Sequence, residues 1–151
     1  MESVPSHRER LVPPWWLLAV LLLIVPAALL VFLPVSIVTG IIVAVGLYTA
    51  IVLALWLGAP RIELRDGQLR AGKARIGVHE LGTADALLGP DAKVALRAGW
   101  DPADHHVVSP WITSLVRVPV IDEEDPTPAW VMSTRRPERL AAAIEAAQKS
   151  R

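Results

Sequence analysis

The sequence predicts an α+β membrane protein: a two-helix transmembrane hairpin, then a β-rich domain closed by a C-terminal amphipathic helix. Three observations predict it. The fifty residues from Leu11 to Pro60 contain no Asp, Glu, Lys, Arg or His. After Pro60 the chain changes to short segments in which apolar and polar residues alternate, the period of half-buried strands. Near the C-terminus, Leu140, Ala143, Ile144 and Ala147 recur at helical spacing. The implied division is a short N-terminal segment over residues 1–12, the hairpin over 13–59 and the β-rich domain over 60–151.

The hairpin follows from length. A bilayer's hydrocarbon core is about 30 Å thick and takes about 20 helical residues to cross. A single helix of fifty residues would reach about 75 Å, so two crossings fit and one does not. The first is expected at about 15–33 and the second at about 37–57, with Pro34, Val35 and Ser36 between them. Pro34 cannot donate a backbone hydrogen bond and disfavours helix in the residue before it, which suits a turn. Trp15, Trp16 and Trp56 lie at the outer ends of the two crossings and are expected as interface anchors on one membrane face. Pro26 should kink the first helix. Gly46, Ala50 and Ala54 recur every four residues and are candidates for close helix approach. The rival for the first crossing is a signal peptide, whose apolar region runs about 7–15 residues; this one continues well past that.

Orientation follows from the flanks. His7, Arg8 and Arg10 precede the hairpin, Arg61, Arg65, Arg70, Lys73 and Arg75 follow it, and the intervening turn is uncharged. Basic flanks stay on the cytoplasmic side, so both termini and the β-rich domain are expected in the cytoplasm, at the inner or plasma membrane. The apolar stretch holds no ionisable group, and pumps or proton-coupled carriers need such groups at membrane depth. Transport by one copy is therefore not expected, and the hairpin reads as an anchor or an oligomerisation element.

In the β-rich domain, Ile62 and Leu64 alternate with Arg61, Glu63 and Arg65. Asp66-Gly67 is a two-residue hairpin signal, because its turn needs positive φ. Leu69 and Ala71 continue a second strand, Gly72-Lys73-Ala74 turns again, and Arg75–Val78 starts a third. Asp85–Leu88 and Pro90–Ala98 read as helical turns, with Pro90 suited to a first-turn position. His105–Ser109 and Leu115–Ile121 have strand character. Asp122–Pro128 is a charged, proline-containing loop, Ala129–Ser133 a last strand, and about 136–149 the closing helix, with Pro137 near its start. This order fits a small, partly open barrel or curled sheet capped by the helix.

Trp15-Trp16 after a Pro pair, the segment Arg61–Gly72 and the segment Asp125–Pro137 (Asp-Pro-Thr-Pro-Ala-Trp-Val-Met-Ser-Thr-Arg-Arg-Pro) together resemble an actinobacterial membrane protein family of unknown function, domain-of-unknown-function family 3093. The resemblance covers nearly the whole chain and implies no catalytic positions. In element order the soluble part also looks like bacterial pleckstrin-homology-like domains, which likewise follow helical hairpins. Fold analogy does not fix function.

Candidate chemistry is sparse. His105 and His106, with Asp101, Asp104 and His79, are the one cluster resembling a metal site. Adjacent residues of a strand point to opposite faces, however, and a solvated loop is the plainer reading. Asp122, Glu123, Glu124 and Asp125 lack the alternate spacing and glycine of a calcium loop. Ser133 and Thr134 before Arg135-Arg136 read as helix capping and turn bonding rather than as a nucleophile or phosphate site. No phosphate loop, HExxH or nucleophile elbow occurs. No cysteine is present, so disulfides and thiolate metal sites are excluded. Residues 61–151 carry thirteen Lys or Arg against thirteen Asp or Glu, which lacks the basic excess of a nucleic-acid binder. Of the soluble tryptophans Trp100, Trp111 and Trp130, two are expected in or near the core, and Trp111 is the candidate for exposure.

The informative remainder is basic. Arg61, Arg65, Arg70, Lys73 and Arg75 are candidates for lipid headgroup contact, each contributing about 1 kcal/mol beside anionic lipid, with Arg135, Arg136 and Arg139 as possible additions. The sequence therefore predicts a membrane-anchored, non-enzymatic interaction module without cofactor. Its partners are the lipid bilayer, anionic lipid, and an unidentified protein or a second copy, with no nucleic acid. The alternatives are a small membrane-associated hydrolase or metal-dependent enzyme, and an accessory subunit of a transport complex.

Overall fold

The computed structural model describes residues 6–150, so the expectations for residues 1–5 and for Arg151 lie outside the described residues. The chain is α+β and divides into two compact units. One is Val12–Ala59; the other joins the N-terminal residues through Leu11 to everything from Pro60 onward.

The apolar unit holds α1 (Trp15–Leu21), α2 (Ile24–Phe32) and α3 (Ile37–Leu57). The stretches Trp15–Phe32 and Ile37–Leu57 are each long and apolar enough to cross a membrane. The gap between α1 and α2 is the expected effect of Pro26, one turn upstream of it. Pro26 has no N–H for the Leu22 carbonyl. That carbonyl accepts instead from Val25 N–H at 3.0 Å, and the ladder resumes with Ala27 N–H to Leu23 at 3.3 Å. Ser36 caps α3, accepting from Thr39 N–H at 3.5 Å.

α2 and α3 pack through Gly40 and Ala44, the buried residues of α3. A Cβ added at Gly40 would stand 3.2 Å from Leu29 Cδ2 and 3.3 Å from Phe32 Cβ, so the glycine sets the approach. Tyr48 Oη donates to the Leu18 carbonyl at 3.3 Å, tying α3 to α1. The expected stripe of Gly46, Ala50 and Ala54 does not make this contact. All three are exposed, and nothing lies within 4 Å of a Cβ built at Gly46. Gly46 is six residues past Gly40, about 120° around the helix, and so faces away from α2.

The other unit opens with a strand the sequence reading missed. Residues His7–Arg10, expected as part of a plain N-terminal segment, form β1. It begins an antiparallel meander with β2 (Arg61–Arg65), β3 (Gln68–Ala71) and β4 (Ala74–Gly77). Four residues of mixed charge carry little strand signal; β1 exists because it pairs with β2, some fifty residues downstream. Leu11 N–H continues the pairing by donating to the Pro60 carbonyl at 3.0 Å. Asp66 (φ 52°) and Gly67 (φ 72°) form the expected turn between β2 and β3.

The second sheet contains β5 (Asp85–Leu87), β6 (His105–Val107), β7 (Leu115–Pro119) and β8 (Ala129–Ser133) in the order β5-β7-β8-β6. β6 runs parallel to β8, and the other pairs are antiparallel. Asp85–Leu87 is thus a strand and not the expected helical turn, because Asp85, Ala86 and Leu87 find partners in Arg117, Val116 and Leu115. α4 (Gly89–Leu96) falls within the expected helical region, and α5 (Pro137–Lys149) is the closing helix.

Ile62, Leu64, Leu69 and Ile76 of the first sheet share one core with Val116, Val118, Trp130 and Met132 of the second and with Leu140, Ile144 and Ala147 of α5. At the far end of α5, the Gln148 side-chain amide donates to the Val78, Leu81 and Gly82 carbonyls at 3.1, 2.8 and 3.1 Å. That clamp holds the helix against the chain leaving the first sheet.

Candidate functional site

The first sheet has two unlike faces because side chains alternate along each strand. Ile62, Leu64, Leu69, Ala71 and Ile76 point into the core. Register then dictates the other face. Arg8 lies opposite Glu63, Glu63 opposite Arg70, and Arg70 opposite Arg75, forming one row across all four strands. Arg10 lies opposite Arg61 in the next row, and Arg65 completes that side of β2. Six arginines and one glutamate therefore share a face with Gln68. Lys73 stands in the β3–β4 turn. Glu63, Arg65, Asp66, Gln68, Arg70 and Arg75 line a shallow depression of about 300 Å³.

Two pairs on this face, Arg10 with Arg61 and Arg70 with Arg75, are like charges directly across a strand pair. Such pairs destabilise a sheet by a few tenths of a kcal/mol or more, about the magnitude an opposite-charge pair contributes. Asp66 is 3.3 Å from Arg65, but both are well exposed, so that contact does little. A local rule broken twice on one face is where function is expected to override folding economy.

Of the five candidate headgroup residues, Arg61, Arg65, Arg70 and Arg75 thus lie on strands of one sheet, and Lys73 lies in the turn between two of those strands. The sequence reading missed Arg8 and Arg10 as members, since their strand was not visible. In the apolar unit, Trp15, Trp16 and Trp56 are 80%, 50% and 52% exposed, at the start of α1 and near the end of α3.

The inward side of β1 carries two polar residues, His7 and Glu9, opposite Leu64 and Ile62. Glu9 is a staple. Its Oε2 accepts a short hydrogen bond from Thr134 Oγ1 and lies 3.5 Å from His7 Nε2. Its Oε1 accepts from Arg135 N–H at 2.9 Å. Thr134, fully buried, also accepts from Arg136 N–H at 3.1 Å. Burial works to raise the Glu9 carboxyl, but the neighbouring His7 ring and the hydrogen bonds from Thr134 Oγ1 and Arg135 N–H outweigh it and hold it at about 2, from an ordinary 4.5. Thr134 therefore does the expected turn bonding. The expected capping of α5 does not occur: its N-cap is Arg136, and no side chain caps it. No local signal in the sequence links Glu9 to Thr134, 125 residues away. Arg139 is exposed on α5.

His105, His106, Asp101, Asp104 and His79 have other engagements. His105 Nε2 is 3.3 Å from the Ala71 carbonyl, and its ring packs on Trp130. His106 Nε2 is 2.8 Å from the Asp101 carbonyl, and its ring stacks on Trp100. Asp104 meets Arg117 at 3.4 Å, and His79 meets Glu80 at 3.2 Å. Among the described residues, no three His, Cys, Asp or Glu are grouped to hold a metal ion. Asp122 and Asp125 bond their own loop, to Glu124 N–H and Thr127 N–H. Trp130 is buried and Trp111 is packed against the same core, while Trp100 is 46% exposed. Two tryptophans are in or near the core as expected, but the exposed one is Trp100.

No curated protein and no solved structure matches this chain. The model of one protein family does, described as a protein of unknown function (DUF3093), over residues 6–144. That span takes in β1, the apolar unit, both sheets and most of α5, so the chain belongs to the DUF3093 family.

Proposed function

We propose that this chain is a membrane-anchored, non-enzymatic interaction module whose arginine-rich sheet face lies against anionic lipid at the cytoplasmic surface. The observation that carries the reading is the set of like charges that the register gathers on one sheet face, with Arg70 directly opposite Arg75. They cost stability in water and are relieved by an anionic surface.

The anchor is supported by exposure. Of the two apolar helical stretches, 0% and 11% of the apolar windows are buried, whereas the core helix of a soluble protein is mostly covered. Left in water, they would present an apolar patch far larger than soluble monomers carry. The tether leaves the basic sheet itself: β1 ends at Arg10 and β2 starts at Arg61, next to the two chain crossings. Each arginine so held contributes about 1 kcal/mol toward an anionic leaflet. Two sheets closed by a C-terminal helix support the pleckstrin-homology-like description, and the parallel β6–β8 pair departs from an all-antiparallel version of it.

The test uses the full chain in nanodiscs. With no native cysteine, a single Lys73→Cys spin label reports depth cleanly. Phosphatidylglycerol discs should raise collisions with a lipid-soluble relaxant over phosphatidylcholine discs, and high salt should reverse the change. Equal water exposure in both lipids would refute the surface contact. A C-terminal reporter reading outside the cell would refute the orientation.

A further inference from the structure

We propose that the notch between β1 and the β8–α5 connection, which takes in Arg8 and Arg10 of the sheet face, is a binding site for a phosphomonoester group. The notch is about 300 Å³ and is lined by His7, Arg8, Glu9, Arg10, Arg135 and Arg136. The inference deepens the membrane reading, on which its lipid source rests.

Four arginines on two chain segments, 125 or more residues apart, line it. The segments are locked together by the one carboxylate among them. Glu9 spends Oε1 on Arg135 N–H and Oε2 on Thr134 Oγ1 and His7, so both its oxygens face the protein. Arg135 Nη1 reaches the Arg10 carbonyl at 3.5 Å, a second tie between the segments. The connection carrying Arg135 and Arg136 is therefore fixed before any ligand arrives. Preorganisation is what converts a cluster of charges into a site.

Charge and geometry select the ligand class. Among the lining residues four arginines stand beside one glutamate, so the notch is basic in composition. A phosphomonoester carries about −1.5 to −2 at neutral pH and offers three terminal oxygens. A phosphodiester carries one charge and two free oxygens. Guanidinium forks bind phosphate oxygens in pairs, so the monoester engages one more arginine than the diester does. In sequence the notch residue Arg10 lies four residues before the first apolar helix, and on the membrane reading a lipid headgroup is the nearer source of phosphate. The shared chemistry is the phosphomonoester, and its two sources are a phosphatidic-acid-type headgroup and a free phosphate.

The test titrates the full chain in neutral detergent micelles with dioctanoyl phosphatidic acid, dioctanoyl phosphatidylglycerol and inorganic phosphate, read by calorimetry. The expected result is at least tenfold tighter binding of phosphatidic acid than of phosphatidylglycerol. Arg136→Gln and Arg8→Gln should each abolish that preference, and Arg97→Gln, an exposed charge on α4's carboxyl end, should keep it. Far-ultraviolet circular dichroism checks that each variant is folded. Inorganic phosphate binding as tightly as phosphatidic acid would support the site and overturn the lipid source. Equal affinity for the two lipids, or a preference that survives both notch variants, would overturn the site. The spin-label depth change in phosphatidylglycerol discs reports separately: if it persists while the preference is absent, the notch fails and the membrane reading stands.

Discussion

Glu9→Gln should destabilise the β-rich unit by about 2 kcal/mol at neutral pH. The substitution keeps shape and removes charge. Lowering the carboxyl from 4.5 to about 2 corresponds to at most about 3 kcal/mol of linked stability. Solvent on the open side of the group brings this to about 2 kcal/mol. The direction with pH follows. Above 4.5 the carboxylate is ionised in folded and unfolded chains alike, and the contribution is complete. As pH falls from there toward 2, the unfolded chain takes up the proton first and the contribution drains away. The parent should therefore lose this increment across that window, and Glu9→Gln should lack it. The assay is urea unfolding of the full chain in neutral micelles, followed by near-ultraviolet circular dichroism, whose signal from buried Trp130 reports the core. At pH 7, hydrogen exchange at Arg135 and Arg136 should rise in the variant before global unfolding, because both amides are held by the staple. A difference under about 0.5 kcal/mol at pH 7, within the range of ordinary surface substitutions, would refute the reasoning. So would the same acid dependence in both proteins.

Three further outcomes follow from packing and charge. Trp130→Ala should cost about 3–5 kcal/mol, since the ring is 4% exposed within the shared core; an unchanged melting temperature would contradict the core assignment. Gly40→Leu should splay α2 from α3 and lower disulfide cross-linking between cysteines introduced across the hairpin, while Gly46→Leu should leave it unchanged, because nothing lies within 4 Å of its added carbon. Arg75→Gln should stabilise the β-rich unit by a few tenths of a kcal/mol, by relieving the pair with Arg70 while leaving the Glu63–Arg70 pair intact, and should weaken the contact with phosphatidylglycerol discs. Stabilisation without loss of contact would disconnect the sheet face from the membrane.

The apolar unit was legible because its signal is local. Fifty residues without a charge, Pro34 and Ser36 at the turn and Pro26 inside the first helix are enough to place Trp15–Phe32 and Ile37–Leu57. The meander from Arg61 to Gly77 was legible for the same reason, with alternation on either side of Asp66-Gly67. The choice of packing stripe was not, because Gly40 and Gly46 look alike in sequence and only the approach of Leu29 and Phe32 separates them. Asp85–Leu87 was likewise opaque, since three residues become a strand only when β7 lies beside them.

By itself the sequence determined the apolar hairpin, the meander, the closing helix and the basic character of residues 61–75, all features written within a few consecutive turns of chain. Only the tertiary structure decided that His7–Arg10 joins the meander as its edge, that Arg8 and Arg10 share a face with the four downstream arginines, and that Glu9 meets Thr134. The reason is physical. A strand of four charged residues has no intrinsic preference to be one, and a carboxylate gains a partner 125 residues away only after both sheets have closed over a common core.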